Sequence, residues 1–168
     1  MFAAGKFPAL MAQTITLQEQ HLKSLDLSPA QIVIDPLLAS GKLPGDETTL
    51  EFKIDLSRDP SDPRELSEIP EIRLWFIRLD SLYPWLPLVL DWEAGELGRY
   101  AAMLVPHQFS PTEGIRFNPE ALEIFVMQKI FVIAQWLKQQ GNTNFTKLKF
   151  MTQMLGYELD DGLFELLK

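Results

Sequence analysis

With 168 residues, 46% of them hydrophobic, the chain suits one domain that buries roughly 70% of the surface of its unfolded form. The absence of cysteine excludes disulfides, zinc ribbons, iron–sulfur ligation by this chain and thiol nucleophiles. Fifteen basic against 23 acidic residues give a net charge of -8, the wrong sign for binding nucleic acid or an anionic membrane surface.

The first residues, MFAAGKFPALMAQ, contain one lysine and a short apolar patch. The patch is too short to span a bilayer, and the segment lacks the Arg- and Ser-rich character of an organelle transit peptide. We therefore expect a cytoplasmic protein that is not an integral membrane protein. We also expect one domain over residues 1–168, with 1–12 flexible and 57–70 forming a structured acidic loop.

The N-terminal part predicts short helices followed by a strand. Thr16 and Glu19 have the spacing of a capping box, which favours a helix over residues 17–24. Ser28-Pro29 is a second helix start, although Pro36 interrupts the pattern behind it. Residues 50–56 alternate apolar with charged side chains, which predicts a strand with one buried face.

The middle of the chain favours further strands. Residues 71–79 place apolar side chains on both faces, as in a central strand. LVLDWEAGELGRYAAMLV predicts a hairpin with arms at 86–92 and 97–105, joined by a three-residue loop whose Gly95 takes the left-handed conformation. A short strand follows at 115–117.

Helices follow the strands. Asn118-Pro119-Glu120 is a strong helix start, and helical spacing continues to Gln140 before Gly141 ends it. Smaller helices are predicted over residues 146–155 and 161–167. The predicted fold class is therefore α+β. Its antiparallel sheet has about four or five strands, near 50–56, 71–79, 86–92, 97–105 and 115–117, packed against the long helix at 119–140, with short N-terminal helices.

Signatures of catalysis or of a cofactor are missing from the sequence. His107 can be drawn together with Asp91, Glu93 and Glu96 near the hairpin tip, but the ligand spacings that make a metal site specific are absent. The chain has no G-x-S-x-G elbow and no phosphate-binding glycine loop. We predict no catalytic residue, metal or cofactor.

The aromatic residues suggest a binding surface instead. Trp75 is assigned to the core, whereas Trp85 and Trp92 lie on opposite faces of one predicted strand, so that one of them would point outward. Trp, Tyr and Arg are the residues that dominate protein-binding hot spots. The predicted partner-binding residues are Trp85, Trp92, Arg99, Tyr100, His107 and Gln108, with Arg73 and Arg78 in second place.

A long string of residues carries a family resemblance. DPRELSEIPE, which starts at Asp62, is followed by RLWFIRLD, YPWLPLVLDW, AGELGRYAAMLVPHQ and FNPEALEIFVMQK. In these segments the chain resembles the chlororespiratory reduction 6 family. The resemblance runs from about Leu50 to the C-terminus, and residues 62–129 carry most of its specificity.

The resemblance implies an assembly factor for the photosynthetic NAD(P)H dehydrogenase-like complex of cyanobacteria and chloroplasts. Members of the family are understood to help incorporate the ferredoxin-like, iron–sulfur subunit I into the hydrophilic arm. They act in the stroma or cytoplasm and are absent from the finished complex. The lack of a transit peptide makes this chain similar to cyanobacterial members.

The favoured hypothesis is a non-enzymatic binding protein that holds immature subunit I through an aromatic and basic surface. One alternative is an enzyme or small-molecule-binding domain with a pocket between hairpin and long helix, using Asp91, Glu96 or His107. Another is a permanent subunit of the complex.

Overall fold

The computed structural model describes residues 11–44 and 48–168. Strand β1 (Met11–Gln18) leads into helix α1 (Glu19–Lys23), and α2 (Ser28–Ala39) precedes β2 (Thr48–Asp55). β1 and β2 are parallel. Most of the expected flexible start lies outside the described residues, but 11 and 12 already belong to β1.

The predicted short helix at residues 17–24 begins two residues late. β1 continues through Gln18, whose N–H donates to His21 Nδ1 at 3.0 Å, and α1 starts at Glu19. Ile15 and Leu17 are buried while Thr14 and Thr16 are exposed, so the alternation of β1 extends into the supposed capping box. The second predicted N-terminal helix is present as α2, with Pro36 inside it.

The central strand predicted at 71–79 is wrong, because this segment is helix α3 (Pro70–Leu82). Its buried residues are Ile72, Trp75, Phe76 and Leu79, which follow helical spacing, whereas Leu74 and Ile77 are exposed. The apolar run satisfies a period of two as well as a period of 3.6. Pro70 at the first helical position favours the helix.

The hairpin predicted over 86–105 is also wrong. Leu86–Val89 is a short 3₁₀ turn, and helix α4 occupies Glu96–Leu104. Pro84 and Pro87 lack the amide donors that a strand ladder requires, which leaves i-to-i+3 bonds such as Leu88 N–H to the Trp85 carbonyl at 3.1 Å. The left-handed glycine is confirmed, since Gly95 has φ of 80° immediately before α4.

The C-terminal half contains a short hairpin and three helices. β3 (His107–Ser110) pairs antiparallel with β4 (Gly114–Phe117). Helix α5 (Pro119–Gln139) starts where Asn118 accepts a hydrogen bond from the Ala121 N–H at 3.0 Å, as its cap residues indicate. α6 (Thr146–Met154) and α7 (Asp161–Leu166) follow, near the predicted positions.

The described residues therefore form a mixed α/β fold with seven α-helices and two sheets of two strands each, not one sheet of four or five strands. Helices α3 and α4 occupy segments that were predicted as strands packed against the long helix. Phe52 of β2, Trp75 and Phe76 of α3 and Tyr100 of α4 make edge and stacked ring contacts in the core. The assignment of Trp75 to the core is confirmed, since it is fully buried.

Candidate binding groove

Two of the predicted partner-binding residues are buried. Trp85 is 6% exposed and stacks on Trp136 of α5, with ring centroids 4.2 Å apart and planes 3° from parallel. Tyr100 is 2% exposed, and its hydroxyl donates to Asp80 Oδ1 at 3.1 Å. Both side chains pack helices together, so neither lies on a surface that a partner can reach.

Trp92 is half-buried. Its Nε1–H donates to the Pro87 carbonyl at 3.0 Å, and Lys147 Nζ lies 5.4 Å from its ring centroid. This cation–π contact covers part of the indole. Trp92 therefore packs toward α6, and the aromatic hairpin face that was predicted does not exist.

His107 and the arginines have separate partners. His107 Nδ1 is 2.9 Å from the Val105 carbonyl, which can only accept, so Nδ1 carries a proton, and Nε2 is hydrogen-bonded to the Ser67 hydroxyl at 3.0 Å. Arg73 Nε donates to the Met103 carbonyl at 3.4 Å. Arg78 Nη1 donates to the Leu25 carbonyl at 3.3 Å, toward the loop before α2, and Gln108 is exposed on β3.

A groove of about 580 Å³ lies beside β2 and brings some of these residues together. The residues that line it are Thr14, Glu51, Phe52, Lys53, Ile54, Leu66, Ala94, Glu96 and Arg99. Met103 lines a smaller crevice with Arg99 and Ile54, and its carbonyl binds Arg73. Ser67, the partner of His107, follows Leu66 in the chain. Arg99 is thus in the groove, whereas Arg73 bonds to a residue of the adjacent crevice and His107 bonds to the chain neighbour of Leu66.

Glu96 and Arg99 form the polar wall of this groove. Glu96 Oε1 binds Arg99 Nη1 at 2.7 Å, and its Oε2 accepts from the Phe52 N–H at 3.3 Å. Although Glu96 is only 4% exposed, the side chain of Arg99 is 44% exposed. Burial raises the pKa of the Glu96 carboxyl, and the attraction of Arg99 opposes that rise.

Other charges around the groove are unequally engaged. The Glu51 carboxylate accepts from the Thr14 hydroxyl at 2.6 Å. Lys53 is exposed and has no ion-pair partner among the described residues. Glu51 and Glu96 are therefore both bonded within the protein, and Arg99 is paired with Glu96 but partly exposed, whereas the cation of Lys53 faces water.

A comparison with known families gives the strongest functional information. The sequence model of the family described as chlororespiratory reduction 6 matches residues 17–166. The chain belongs to this family. The chlororespiratory reduction 6 family is linked to assembly of the NDH complex. No solved structure matches the chain.

Membership in this family agrees with a role in assembly. The predicted alternative was a pocket between a hairpin and the long helix. That pocket required the hairpin, which is absent. The three polar residues proposed for that pocket bind different groups. Asp91 accepts from the Ala94 N–H, and Glu96 binds the Phe52 N–H and Arg99. His107 binds Ser67 and the Val105 carbonyl. Over residues 11–44 and 48–168, no three His, Asp or Glu side chains are grouped to hold a metal ion.

Two further results concern membrane-spanning helices and the residues of the groove. Within the described part of the chain, no helix has the length and hydrophobicity to span a bilayer. The groove residues Ile54 and Leu66 were not predicted as a site. The alternation of 50–56 did identify the buried face of β2, but which edge of the strand stays open depends on residues 90–96.

Proposed function

We propose that this protein is a non-enzymatic assembly factor of the NAD(P)H dehydrogenase-like complex. It binds immature subunit I, the ferredoxin-like iron–sulfur subunit, before that subunit enters the hydrophilic arm, and it leaves before the complex is complete. The proposed location is the cytoplasm, as in a cyanobacterial member. The observation that carries the proposal is the family match over residues 17–166.

The client-binding surface is proposed to be the groove beside β2 with its basic surroundings. Arg99 lies in the groove, Arg73 bonds to Met103 of the adjacent crevice, and His107 bonds to Ser67, which follows the groove residue Leu66 in the chain. A partly exposed arginine beside apolar side chains is a common binding hot spot. This surface retains the basic half of the predicted binding site and replaces the buried aromatic half with Ile54 and Leu66.

Purified protein and purified subunit I test the proposal directly. The unmodified protein is expected to capture subunit I from solution, and the double variant Arg73→Ala, Arg99→Ala is expected to weaken capture by at least about tenfold, since two charged hydrogen-bonding groups are removed. Arg78→Ala is the matched control, because Arg78 also donates to a backbone carbonyl but faces Leu25. Equal loss in the double variant and the control would contradict the surface. Failure of the unmodified protein to bind subunit I would contradict the function.

A second measurement separates an assembly factor from a permanent subunit. The complex is isolated from cells at early and late stages of assembly, and the protein is quantified in both. We expect it in the assembly intermediate together with subunit I and not in the finished complex. Stoichiometric retention in the finished complex would favour the permanent-subunit alternative.

A further inference from the structure

In the described part of the chain, residues 90–96 lie beside β2 as a third strand at one residue only. Leu90 forms a parallel bridge with Leu50, and the Asp91 N–H donates to the Leu50 carbonyl at 2.9 Å. The backbone then turns at Trp92–Gly95, where the Gly95 N–H donates to the Trp92 carbonyl, and continues as α4. The edge of β2 beyond Leu50 is therefore left without a neighbouring strand from residues 90–96.

The unpaired backbone groups of this edge can be assigned from the strand geometry. Successive residues of a strand point their N–H and C=O groups to opposite edges. The Leu50 carbonyl and the Phe52 N–H both bind groups on the side away from β1, so Ile54 presents its N–H and C=O on that side too. Among the described residues, neither of these Ile54 groups nor the Phe52 carbonyl has a partner.

Glu96 covers the other donor of this edge, the Phe52 N–H. Its carboxylate accepts from the Phe52 N–H at 3.3 Å, which is longer than the usual 2.9–3.0 Å of such a bond. A buried charge at a strand edge is a known protection against unspecific pairing. A peptide carbonyl can replace this weak bond, while Glu96 keeps its contact with Arg99.

The walls of the groove specify the chemistry of the strand that fits. Ile54 and Leu66 offer apolar contact, and the exposed cations of Lys53 and Arg99 lie along the same edge. The outer face of the β1–β2 pair also exposes Thr16 and Asp55, although parallel strands are normally covered on both faces. An extended segment that alternates apolar and acidic side chains complements these features.

We propose that the groove binds an extended, acidic peptide segment of the client, which adds to β2 as a strand and hydrogen-bonds to Phe52 and Ile54. The identity of the client in this proposal rests on the proposed function, whereas strand addition rests on the geometry of β2. Main-chain bonds supply affinity in such complexes, and alternate side chains supply specificity. Such a short contact suits an assembly factor, because the factor must release its client.

The first test uses a capped peptide of about seven residues that alternates glutamate and valine, a typical strand length. Titrated into isotopically labelled full-length protein, it is expected to bind with a Kd of about 0.1–1 mM. NMR should show shifts at the amides of Phe52, Ile54 and Leu66 and slower hydrogen exchange at Ile54. Shifts confined to the β1 amides of Thr14 and Thr16, or no binding, would overturn the proposal.

Matched peptides test the backbone and the charge separately. N-methylation of one alternate set of residues should abolish binding, and methylation of the other set should leave it unchanged, because only one set faces β2. Lysine in place of glutamate should weaken binding at least about tenfold. Equal effects of the two methylations, or equal binding of the lysine peptide, would overturn strand addition of an acidic segment.

A blocking variant connects the groove to the client. Ala94→Trp fills the groove from an exposed position, and Ala39→Trp at the end of α2 is the control outside it. We expect loss of peptide binding and of subunit I capture only in Ala94→Trp. Undiminished client capture by Ala94→Trp overturns the groove as the client site but leaves the assembly role intact. Failure of the unmodified protein to capture subunit I overturns the proposed function, and the peptide titration then still decides strand addition.

Sedimentation of the protein alone tests whether a second copy of this chain, and not a client strand, occupies the edge of β2. We expect the same monomer mass for the unmodified protein and for Ala94→Trp over a wide concentration range. A concentration-dependent dimer that Ala94→Trp abolishes would mean that a second copy of this chain occupies the edge, and it would overturn the proposal of a client strand.

Discussion

Two acid–base pairs of this protein differ in their surroundings. Lys129 Nζ binds Asp80 Oδ1 at 2.6 Å and the Pro84 carbonyl at 2.9 Å, and its side chain is fully buried. Arg99 binds Glu96 at the groove, with its guanidinium half in water. The first pair joins α3, α5 and, through the Tyr100 hydroxyl, α4. A buried ion pair holds helices in fixed positions, whereas an ion pair at the surface can exchange its partner.

The pKa shifts reflect the same difference. Burial raises the pKa of the Asp80 carboxyl and lowers the pKa of the Lys129 ammonium, while their mutual attraction opposes both shifts. Both directions mean that desolvation of the buried pair outweighs the attraction. The buried pair therefore contributes specific geometry among the helices, and breaking it on one side is costly.

The largest expected effect comes from removing one member of the buried pair. Lys129→Ala leaves the Asp80 carboxylate without its counter-charge and the Pro84 carbonyl without its lysine donor, and should lower the free energy of unfolding by about 3–5 kcal/mol. Urea denaturation measures the loss. The double variant Lys129→Met, Asp80→Leu should lose less than Lys129→Ala, since no unpaired charge remains. A larger loss in the double variant would show that the pair is a net stabiliser.

A slightly smaller loss is expected at the tryptophan stack. Trp85→Ala removes the ring that lies on Trp136 and should cost about 3 kcal/mol, whereas Trp92→Ala, at a half-buried position, should cost about 1–2 kcal/mol. Thermal unfolding of both variants checks this order. If Trp85→Ala proved neutral for stability and abolished client capture, Trp85 would belong to the binding surface after all.

The pH dependence of stability in Glu96→Gln tests the pair at the groove. Because burial raises the pKa of Glu96, the folded chain binds this proton more tightly than the unfolded chain, and this residue lowers stability as pH rises through the raised value. Glutamine carries no such proton. The stability of Glu96→Gln relative to the unmodified protein should therefore increase as pH rises from about 4, the ordinary range of a glutamate carboxyl, through the raised value. Urea denaturation across this range measures it; a constant difference would mean that Glu96 is not buried as described.

The smallest effect on stability is expected at Lys53. Lys53→Glu changes an exposed side chain and should alter the free energy of unfolding by no more than about 0.5 kcal/mol. It should nevertheless weaken binding of the acidic peptide at least about tenfold, because a repulsive charge then lies along the edge of β2. Fluorescence titration measures the affinity. Unchanged affinity would remove Lys53 from the binding surface.

Prediction from the sequence succeeded where local signals agreed. Asn118 and Pro119 specify the start of α5 whatever the rest of the chain does, since capping and a fixed proline φ act within one turn. Gly95 likewise takes its left-handed conformation in a tight turn, although the turn joins a 3₁₀ segment to a helix and not two strands. The family resemblance was also readable, because it depends on residue identity and not on folding.

The errors arose where most residues are apolar. In α3 and α4 the apolar residues are compatible with a strand as well as with a helix, and the neighbours that decide which of them are buried come from distant parts of the chain. Trp85 was expected to be a possible surface anchor because its partner, Trp136, lies far away in the sequence. Long-range packing alone placed this indole inside.

By itself, the sequence determined the family, the excess of negative charge, the caps of α5 and the alternation of β2. Only the tertiary structure decided that Trp85 and Tyr100 are internal, that Lys129 meets Asp80, and that residues 90–96 leave one edge of β2 unpaired beside Arg99. The physical reason is the range of the interactions. Caps and turns involve neighbours in the chain. Burial and edge pairing instead depend on which distant segment packs against an apolar surface or bonds to an unpaired amide.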